Sequence, residues 1–254
     1  MQEVYVGSTR VWENEHPYDS YMRSLGPRAY YICDETSGPL KCAINNNADY
    51  NLEPLYSLPN LKYNLRPHFN MPGGTCSGTP NNLGVWQSGA PNLLQATNQG
   101  QSLCAFVDMP TTTQNFFAYY GLIGGATSEQ DGQACRVEGA FGRFTWYVST
   151  TLGSFSPPAL NPPADSYFLV WTYPVYPGFS VLPKCYVNGV EQAPVANAAL
   201  APNNPDRGYF FRLGGFSGSA GSIGGSGTIF SRVAWFNKEL SAAEITELNN
   251  RITR

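Results

Sequence analysis

The sequence predicts an all-β protein, and three observations carry that prediction. Only 13% of the 254 residues are charged, against about 25% in an average globular protein. Hydrophobic residues make up 42% and aromatic residues 14%, and the chain contains 26 glycines and 20 prolines. Apolar and aromatic segments separated by Gly and Pro favour short strands joined by turns over helical bundles. Because this composition can fill a core, wholesale disorder is excluded.

The N-terminal residues predict a small hairpin, then a short helix and a strand. Residues 4–6 (VYV) and 11–12 (VW) flank the turn Gly7-Ser8-Thr9, as expected of a hairpin or an extended arm outside the main domain. Residues 18–25 precede Gly26-Pro27 and predict one or two helical turns. Residues 29–33 (AYYIC) predict a buried strand.

The central part of the chain is less regular. Residues 34–100 are rich in Asn, Pro and Gly and predict long loops with brief edge strands. Four segments then predict successive strands: 102–108, 115–123, 134–139 and 143–149. The Pro-rich stretch 155–164 predicts an exposed connection.

The C-terminal third carries the clearest patterns, starting with residues 166–173 (SYFLVWTY). Successive strand residues alternate between faces, so Tyr167, Leu169 and Trp171 share one face, and Phe168 and Val170 share the other. Both faces are apolar. This pattern predicts a central strand in a packed pair of sheets.

The remaining C-terminal segments predict three more strands and a helix. Residues 184–187 (KCYV) lead into Asn188-Gly189, a strong hairpin signal because both turn positions need positive φ. Residues 208–214 and 228–236 predict further strands. Ser241 and Glu244 form a capping box, which predicts a short terminal helix with Ile245 and Leu248 facing the sheets.

Charge and hydropathy exclude several classes of function. The net charge is −3 and no run of Lys or Arg occurs, which argues against nucleic-acid binding. No apolar stretch approaches the roughly 18 residues of a membrane helix, so we expect no membrane insertion. The N-terminal residues lack a basic head followed by an apolar run, so we expect no ordinary secretory signal. The protein would then be made in a cytoplasm and be used there or be released by lysis.

Six cysteines are scattered through the chain without a CxxC pair, and only two histidines are present. Zinc ligands normally come in close pairs, so this spacing argues against a zinc site. We expect buried thiols in a β core. One or two disulfides, for example Cys33 with Cys42, remain an alternative that sequence cannot settle.

Three segments resemble laminin-G-like, concanavalin A-like jelly-roll domains of the kind found in tailed-phage virion proteins. Residues 228–250 (TIFSRVAWFNKELSAAEITELNN) are similar to the family's last strand and its "LSxxEIxxL" helix, and residues 184–191 (KCYVNGVE) to its "lyvNGv" hairpin. Residues 21–38 (YMRSLGPRAYYICDETSG) resemble the "GPxaYWrLdEtsG" opening, with Tyr-Ile-Cys in place of Trp-Arg-Leu. The resemblance implies a two-sheet antiparallel jelly-roll sandwich over residues 18–254, with a short C-terminal helix.

The N-terminal segment 4–12 (VYVGSTRVW) resembles the "iyvGstkV" segments that open many phage virion and baseplate proteins. The resemblance implies that residues 1–17 form an attachment arm, with Tyr5, Val6, Val11 and Trp12 as the residues that fix it to the particle. A plain edge hairpin of the same domain is the alternative. An arm followed by a jelly roll implies a virion location, capsid or tail subunits as partners, and assembly as a homo-oligomer.

The jelly-roll fold hosts both lectins and glycanases, so a function has to rest on a site. The glucanases of this fold carry an "ExDxxE" run that provides paired carboxylates, and no such run occurs here. Glu138 stands alone on its predicted strand, and no GxSxG motif is present. We therefore expect no enzymatic activity and no cofactor. The alternative from the enzyme class is a polysaccharide-cleaving jelly roll with a diverged site.

Carbohydrate binding needs aromatic platforms together with amide or carboxylate groups. The candidate binding residues are Trp86, Tyr119, Trp146 and Tyr176, with Tyr120 and Tyr173 as further candidates. Trp146 lies in a strand pattern typical of a core residue, and a subunit interface also explains exposed aromatics. The candidate ligand is a host-surface polysaccharide, and a free lectin-like module unattached to a particle is the alternative function.

Related laminin-G-like domains often hold calcium through Asp and backbone oxygens. Asp34, Asn46 and Asp49 could supply oxygen ligands. The family's "DxSGxGxxG" element is replaced by Ala43-Ile44-Asn45-Asn46-Asn47, however. We therefore expect no metal, and we expect these residues to form turns through their Asx side chains.

Overall fold

A computed structural model describes 16 segments of the chain: residues 2–6, 9–13, 16–56, 75–76, 78–79, 82–83, 85–91, 100–108, 119–128, 131–138, 143–148, 151–155, 166–173, 184–196, 210–213 and 229–252. Side chains are described within residues 16–54, 100–107, 166–172, 184–193 and 230–252, and at residue 213.

Two large antiparallel sheets form the body of the protein. The seven-stranded sheet has the order β16-β15-β14-β9-β19-β3, and β5 also pairs with β19. Its strands are β3 (Ala29–Tyr31), β5 (Thr75–Cys76), β9 (Gln101–Asp108), β14 (Ser166–Tyr173), β15 (Lys184–Val187), β16 (Val190–Glu191) and β19 (Ile229–Phe236).

The eight-stranded sheet has the order β17-β13-β12-β11-β10-β18-β8-β4. Its strands are β4 (Leu52–Tyr56), β8 (Val85–Pro91), β10 (Tyr119–Ser128), β11 (Asp131–Glu138), β12 (Arg143–Val148), β13 (Thr151–Phe155), β17 (Pro194–Ala196) and β18 (Phe210–Leu213).

Two short hairpins and two helices complete the described elements. The N-terminal hairpin joins β1 (Gln2–Val6) to β2 (Thr9–Glu13), and a second one joins β6 (Gly78–Thr79) to β7 (Asn82–Leu83). The helices are α1 (Pro17–Ser24) and α2 (Ala242–Ile252), and residues Ala48–Tyr50 form a 3₁₀ turn. The predicted all-β jelly-roll sandwich with a short C-terminal helix is confirmed, whereas the attachment role of residues 1–17 stays a prediction. Neither helix is long and apolar enough to span a membrane, among the residues described.

The main core lies between the two sheets. Leu103, Leu169 and Trp171 of the seven-stranded sheet are buried in one cluster with Leu52 and Leu213 of the eight-stranded sheet. Burial of such side chains contributes about 1.5–3 kcal/mol each. This contact is what makes the two sheets a sandwich.

A second core lies on the opposite face of the seven-stranded sheet, where α1 and α2 cover it. Phe168 and Val170 are buried there with Met22 of α1 and with Ile245 and Leu248 of α2. The prediction that β14 is a central strand with two apolar faces is therefore confirmed. The predicted orientation of α2 is confirmed as well.

The predicted hairpin turn and the predicted helix cap are both present. Asn188 and Gly189 have φ of 50° and 80°, as the hairpin between β15 and β16 requires. At the start of α2, the Ser241 hydroxyl accepts the Glu244 backbone N–H at 3.2 Å, and the Glu244 carboxylate accepts the Ser241 N–H at 2.7 Å. These reciprocal bonds are the predicted capping box.

Strand β19 contains a bulge that no local pattern predicts. Its register with β9 shifts between Ser231 and Ala234, and Arg232 within the bulge has φ of 47°. The extra residue places Arg232 beside Asp19 of α1, and both residues are buried. Burial opposes the charge of Arg232, but Asp19 and Tyr30 nevertheless raise its pKa.

Several predicted boundaries differ from the structure. β10 extends to Ser128, beyond the predicted end at residue 123, and residues 115–118 of the predicted strand lie outside the described residues. β3 ends at Tyr31, because Cys33 adopts φ of 63°. Within residues 34–100, predicted as loops and brief edge strands, Val85–Pro91 forms a seven-residue strand between two others. β13 and β17 were not predicted, because Thr151–Phe155 and Pro194–Ala196 carry little alternation.

The cysteine prediction is confirmed for the four thiols whose side chains are described. Cys33, Cys42, Cys104 and Cys185 are free and buried. The alternative of a Cys33–Cys42 disulfide is therefore wrong. Burial raises the pKa of Cys33, Cys104 and Cys185, which keeps these thiols protonated.

Candidate functional site

The two faces of the eight-stranded sheet can be assigned from register. Residues directly opposite each other on antiparallel strands share a face, and consecutive residues alternate. Leu52 on β4 and Leu213 on β18 are both fully buried between the sheets. They therefore mark the inner face. Glu53, which follows Leu52, is exposed and marks the outer face.

Register extends this assignment across the sheet. Leu213 lies opposite Trp86 on β8 and opposite Ile123 on β10. Ile123 lies opposite Cys135, which lies opposite Trp146 on β12. The inner-face positions of this register row are therefore all occupied by apolar residue types.

The outer face carries a different row of residues at the neighbouring register positions. Glu53 lies opposite Gln87, and Gln87 lies opposite Arg212. Arg212 on β18 lies opposite Gly124 on β10, and Gly124 lies opposite Ala134 on β11. Ala134 in turn lies opposite Tyr147 on β12. Arg212 and Tyr147 are three strands apart, about 14 Å at the usual strand spacing. The two strands between them present only small residues at this level.

A second group on the outer face is charged. Tyr119 lies opposite Glu138, and Glu138 lies opposite Arg143. Arg136 is two residues from Glu138 on the same strand and therefore shares its face. The outer-face positions of the described strands thus include three arginines and two glutamates, a formal charge of +1, whereas the whole chain carries −3. We call the residues Tyr119, Tyr147, Gln87, Arg136 and Arg212 the outer-face group.

The structure brings three of the four predicted carbohydrate-binding residues onto this one sheet. Tyr119 lies on its outer face, whereas Trp86 and Trp146 lie at inner-face positions in register with Leu213. Tyr176 falls outside the described residues. Of the further candidates, Tyr120 lies opposite Val137 at an inner position, and Tyr173 ends β14 in the other sheet.

Sequence reasoning did not select the other members of the outer-face group. Tyr147 follows Trp146 directly and therefore takes the opposite face of β12. Gln87 stands in the same relation to Trp86. The usable signal was the alternation itself. It could not be applied without knowing which face meets the second sheet.

The predicted arm residues lie on the N-terminal hairpin. Tyr5 is paired with Arg10 and Val6 with Thr9, and Val11 and Trp12 lie on the second strand opposite Val4 and Glu3. Tyr5 and Trp12 therefore share one face of the hairpin, while Val6 and Val11 share the other.

Of the candidate calcium ligands, Asp49 lies in the 3₁₀ turn Ala48–Tyr50. Asp34, Asn46 and Asp49 are exposed. The neighbouring Asn47 carboxamide accepts the Asp49 backbone N–H at 3.0 Å and caps the 3₁₀ turn. Within the described residues, no group of three or more His, Cys, Asp or Glu side chains could hold a metal ion.

Two outer-face positions of the eight-stranded sheet carry glutamate. Glu53 on β4 and Glu138 on β11 are four strands apart, about 19 Å. A retaining glycosidase needs its two carboxylates about 5–5.5 Å apart. These two residues therefore cannot act as such a pair.

No family model matches this sequence, and no curated protein matches it. Its fold, however, is similar to several solved structures. The chain matches the binding domain of botulinum neurotoxin serotype D with a TM-score of 0.59 at 13% identity, covering 91% of this chain and 52% of that one. The ligand-binding domain of the same toxin in complex with N-acetylneuraminic acid matches with a TM-score of 0.58 at 13% identity, with coverages of 91% and 52%.

A Trypanosoma rangeli sialidase in complex with sialic acid matches with a TM-score of 0.53 at 15% identity. The match covers 87% of this chain and 32% of the sialidase. The chain thus spans about a third of the sialidase and about half of the toxin domain. At these identities the likeness concerns the fold alone: a lectin-like β-sandwich.

Proposed function

We propose that this chain is a structural protein of a tailed-phage virion, a capsid decoration, head-fibre or tail/baseplate component that presents a lectin-like jelly roll. Its function is binding rather than catalysis. The N-terminal hairpin attaches it to capsid or tail subunits, and the jelly roll cements neighbouring subunits, binds a host-surface polysaccharide, or does both.

The observation that carries the proposal is the hairpin that precedes the sandwich. Among the described residues, β1 and β2 pair only with each other and belong to neither large sheet. An isolated two-stranded hairpin is marginally stable in water. A hairpin with apolar or aromatic residues on both faces, here Val6 and Val11 on one and Tyr5 and Trp12 on the other, therefore needs a surface to pack against. A neighbouring virion subunit supplies such a surface.

Two further observations support a binding role for the jelly roll. The outer-face group combines two tyrosines with an amide and two arginines, residue types that stack on sugars and bind their polar groups. The structures with the same fold include a domain in complex with N-acetylneuraminic acid. These observations favour a glycan as the ligand of the sandwich.

The direct test is to locate the chain in virions. Purified particles of the phage that encodes the chain should contain it by mass spectrometry, and immunogold labelling should place it at a repeated position on the head or the tail. Absence from purified particles would contradict the virion role.

A truncation tests the hairpin. Removal of residues 1–15 leaves His16, the N-cap of α1, and the buried Tyr18 in place. We expect the truncated chain to fold, with an unchanged circular dichroism spectrum, and to be lost from virions. Incorporation at the normal copy number would show that the hairpin is not the attachment arm.

The second candidate function is a free lectin-like module, favoured by the likeness to toxin and sialidase structures. Such a module would bind glycan without being part of a particle. Removing residues 1–15 should then change neither its solution behaviour nor its glycan affinity.

A further inference from the structure

We propose that Gln101, Trp171 and Trp235 form an enclosed polar site at one end of the main core, and that this site binds water molecules. The site lies inside the sandwich, so it is independent of whether the chain belongs to a virion or binds a glycan. It gives a role to buried polar groups that neither the N-terminal hairpin nor the outer face of the sheet involves.

Gln101 is a buried polar residue that faces the main core. Leu103 and Ala105 of β9 belong to the main core, and Cys104 belongs to the second core beneath the helices. The register between β9 and β14 is unbroken from Gln101 to Asp108. Because consecutive strand residues alternate between faces, Gln101 shares the face of Leu103. It is only 1% exposed.

Two tryptophans flank Gln101 on the same face of the sheet. Trp171 on β14 and Trp235 on β19 both lie opposite Leu103, and both belong to the main core. Because β9 runs between their strands, their Cα atoms are about 10 Å apart at the usual strand spacing. Gln101 lies about 7 Å further along β9 than Leu103. Three polar side chains from adjacent strands thus occupy neighbouring positions at one end of the core.

Their polar atoms have no hydrogen-bond partner among the residues described. The unpartnered atoms are both carboxamide atoms of Gln101 and the indole Nε1 of Trp171 and of Trp235. Each tryptophan, like Gln101, is 1% exposed, so bulk solvent does not reach these atoms. Asn237, which follows the end of β19, adds a buried and unpartnered Oδ1. Unpaired buried polar groups destabilise a fold, and native proteins satisfy nearly all of them with protein atoms or ordered water.

The mixture of donors and acceptors indicates the class of ligand. An indole N–H can only donate and therefore repels a metal cation, whereas the carbonyl oxygens of Gln101 and Asn237 repel an anion. The buried charged residues described in the chain, Asp19 and Arg232, pair with each other. The ligand is therefore uncharged and able both to donate and to accept. Water meets both requirements, and it fits an enclosed site, where a buried water typically makes about three hydrogen bonds.

NMR spectroscopy of the full-length native protein tests the site directly. The indole protons of Trp171 and Trp235, assigned from through-bond spectra, should show cross-peaks to water in NOESY and ROESY spectra. The relative signs of these cross-peaks should be those of dipolar contact with long-lived water rather than of proton exchange. Absence of such cross-peaks at both indole protons would overturn the inference.

The stability of Gln101→Leu gives a second, independent readout. If water bridges the carboxamide to the indoles, leucine leaves the water and the indole N–H groups short of a partner. We then expect the folding equilibrium constant from urea unfolding to fall at least about fivefold. A carboxamide that lacks any partner in solution would instead be improved by leucine. An increase in stability would therefore overturn the inference.

A double-mutant cycle tests whether Gln101 and Trp171 bind the same water. Gln101→Leu and Trp171→Phe, which keeps an aromatic ring without the N–H, should have non-additive effects on stability. Tyr31→Phe is the matched control, because it removes a hydroxyl in the same core whose partner is the Tyr50 carbonyl oxygen at 2.7 Å. Its effect should add to that of Gln101→Leu. Additivity in both pairs would show that Gln101 and Trp171 share no ligand, which would overturn the inference.

Discussion

Asp19 and Arg232 form a buried, two-point ion pair although 213 residues separate them in the sequence. Nε of Arg232 lies 3.2 Å from Oδ1 of Asp19, and one of its terminal nitrogens lies 3.3 Å from Oδ2. The Tyr30 hydroxyl donates to the same carboxylate. The pair joins α1, the first helix, to β19, the last strand. The Asp19 side chain is 1% exposed and the Arg232 side chain 0% exposed. Water therefore cannot hydrate either charge when the other residue is replaced.

We predict that Asp19→Ala lowers the free energy of unfolding by about 3–5 kcal/mol, because it removes the carboxylate that faces the buried guanidinium of Arg232 and accepts from the Tyr30 hydroxyl. Urea unfolding followed by circular dichroism would measure the loss. Glu247→Ala is the control, since it breaks the partly exposed Glu247–Arg251 pair and should cost less than about 1 kcal/mol.

Removing both charges distinguishes the loss of the buried Asp19–Arg232 ion pair from the loss of packing at Asp19. The double variant Asp19→Leu with Arg232→Met should be more stable than Asp19→Ala, because no charge remains buried. Methionine in place of arginine at φ of 47° adds no new backbone strain, since both residues have a Cβ. A double variant as unstable as Asp19→Ala would show that the ion pair is not the source of the effect.

His16 should make the stability of the protein depend on pH. Its Nδ1 accepts the Tyr18 backbone N–H at 3.2 Å and caps α1. Burial, the largest effect, lowers the pKa of His16 from 6.5, with Asp19 opposing this shift and Arg232 adding to it. The folded state thus holds fewer protons on His16 than the unfolded state. This contribution is present above pH 6.5 and is lost as pH falls through the lowered pKa.

The comparison that isolates His16 is with His16→Asn, which keeps a capping side chain but does not titrate. Melting temperatures of both proteins should be measured from pH 7.5 to pH 5. We expect the native protein to lose stability relative to the variant as the pH is lowered. Parallel profiles over this range would rule out His16 as the titrating group.

Gly189→Ala should destabilise the protein more than Gly26→Ala does. Both glycines have positive φ, 80° and 69°, so alanine at either position costs about 1–2 kcal/mol. At Gly189 the new Cβ would also lie 3.0 Å from the Cβ of Asn249, whereas Gly26 has nothing within 4 Å. Denaturant unfolding would give the difference. An equal loss at the two sites would mean that Asn249 moves aside freely.

The four described cysteines should resist modification in the native state. Cys33, Cys42, Cys104 and Cys185 are buried, and burial raises the pKa of Cys33, Cys104 and Cys185, so little thiolate is available. We expect iodoacetamide to label none of these four in native protein and all of them in guanidinium. Peptide mass spectrometry without reduction would check this. A Cys33–Cys42 cross-link or rapid native labelling would contradict the structure.

Elements with strong local signals could be predicted from the sequence. The two apolar faces of β14, the Asn188-Gly189 turn and the Ser241 capping box each depend on neighbours in the chain, so residue type and spacing were enough. β8 could not be predicted in the same way. Val85–Pro91 contains Gln, Ser, Gly and Pro, and it becomes a strand through pairing with β4 and β18, which come from distant parts of the chain.

In the candidate site, too, residue types could be predicted from the sequence, but their arrangement depends on strand pairing. Residue type pointed to tryptophan as a binding platform, and register places Trp86 and Trp146 on the face that carries Leu213. Their role in binding stays a prediction, as does that of Tyr176. Only the pairing of eight strands shows that Arg212, Gly124, Ala134 and Tyr147 form one row.

The sequence by itself determined the fold class, the central strand β14, the Asn188-Gly189 turn and the capped terminal helix, because each follows from alternation, turn chemistry or capping among near neighbours. The tertiary structure alone decided the order of strands, the face that each strand turns outward, and the pairing of Asp19 with Arg232. Those features depend on contacts between residues far apart in the chain, and a shift of one residue in register exchanges the inner and outer faces of a strand.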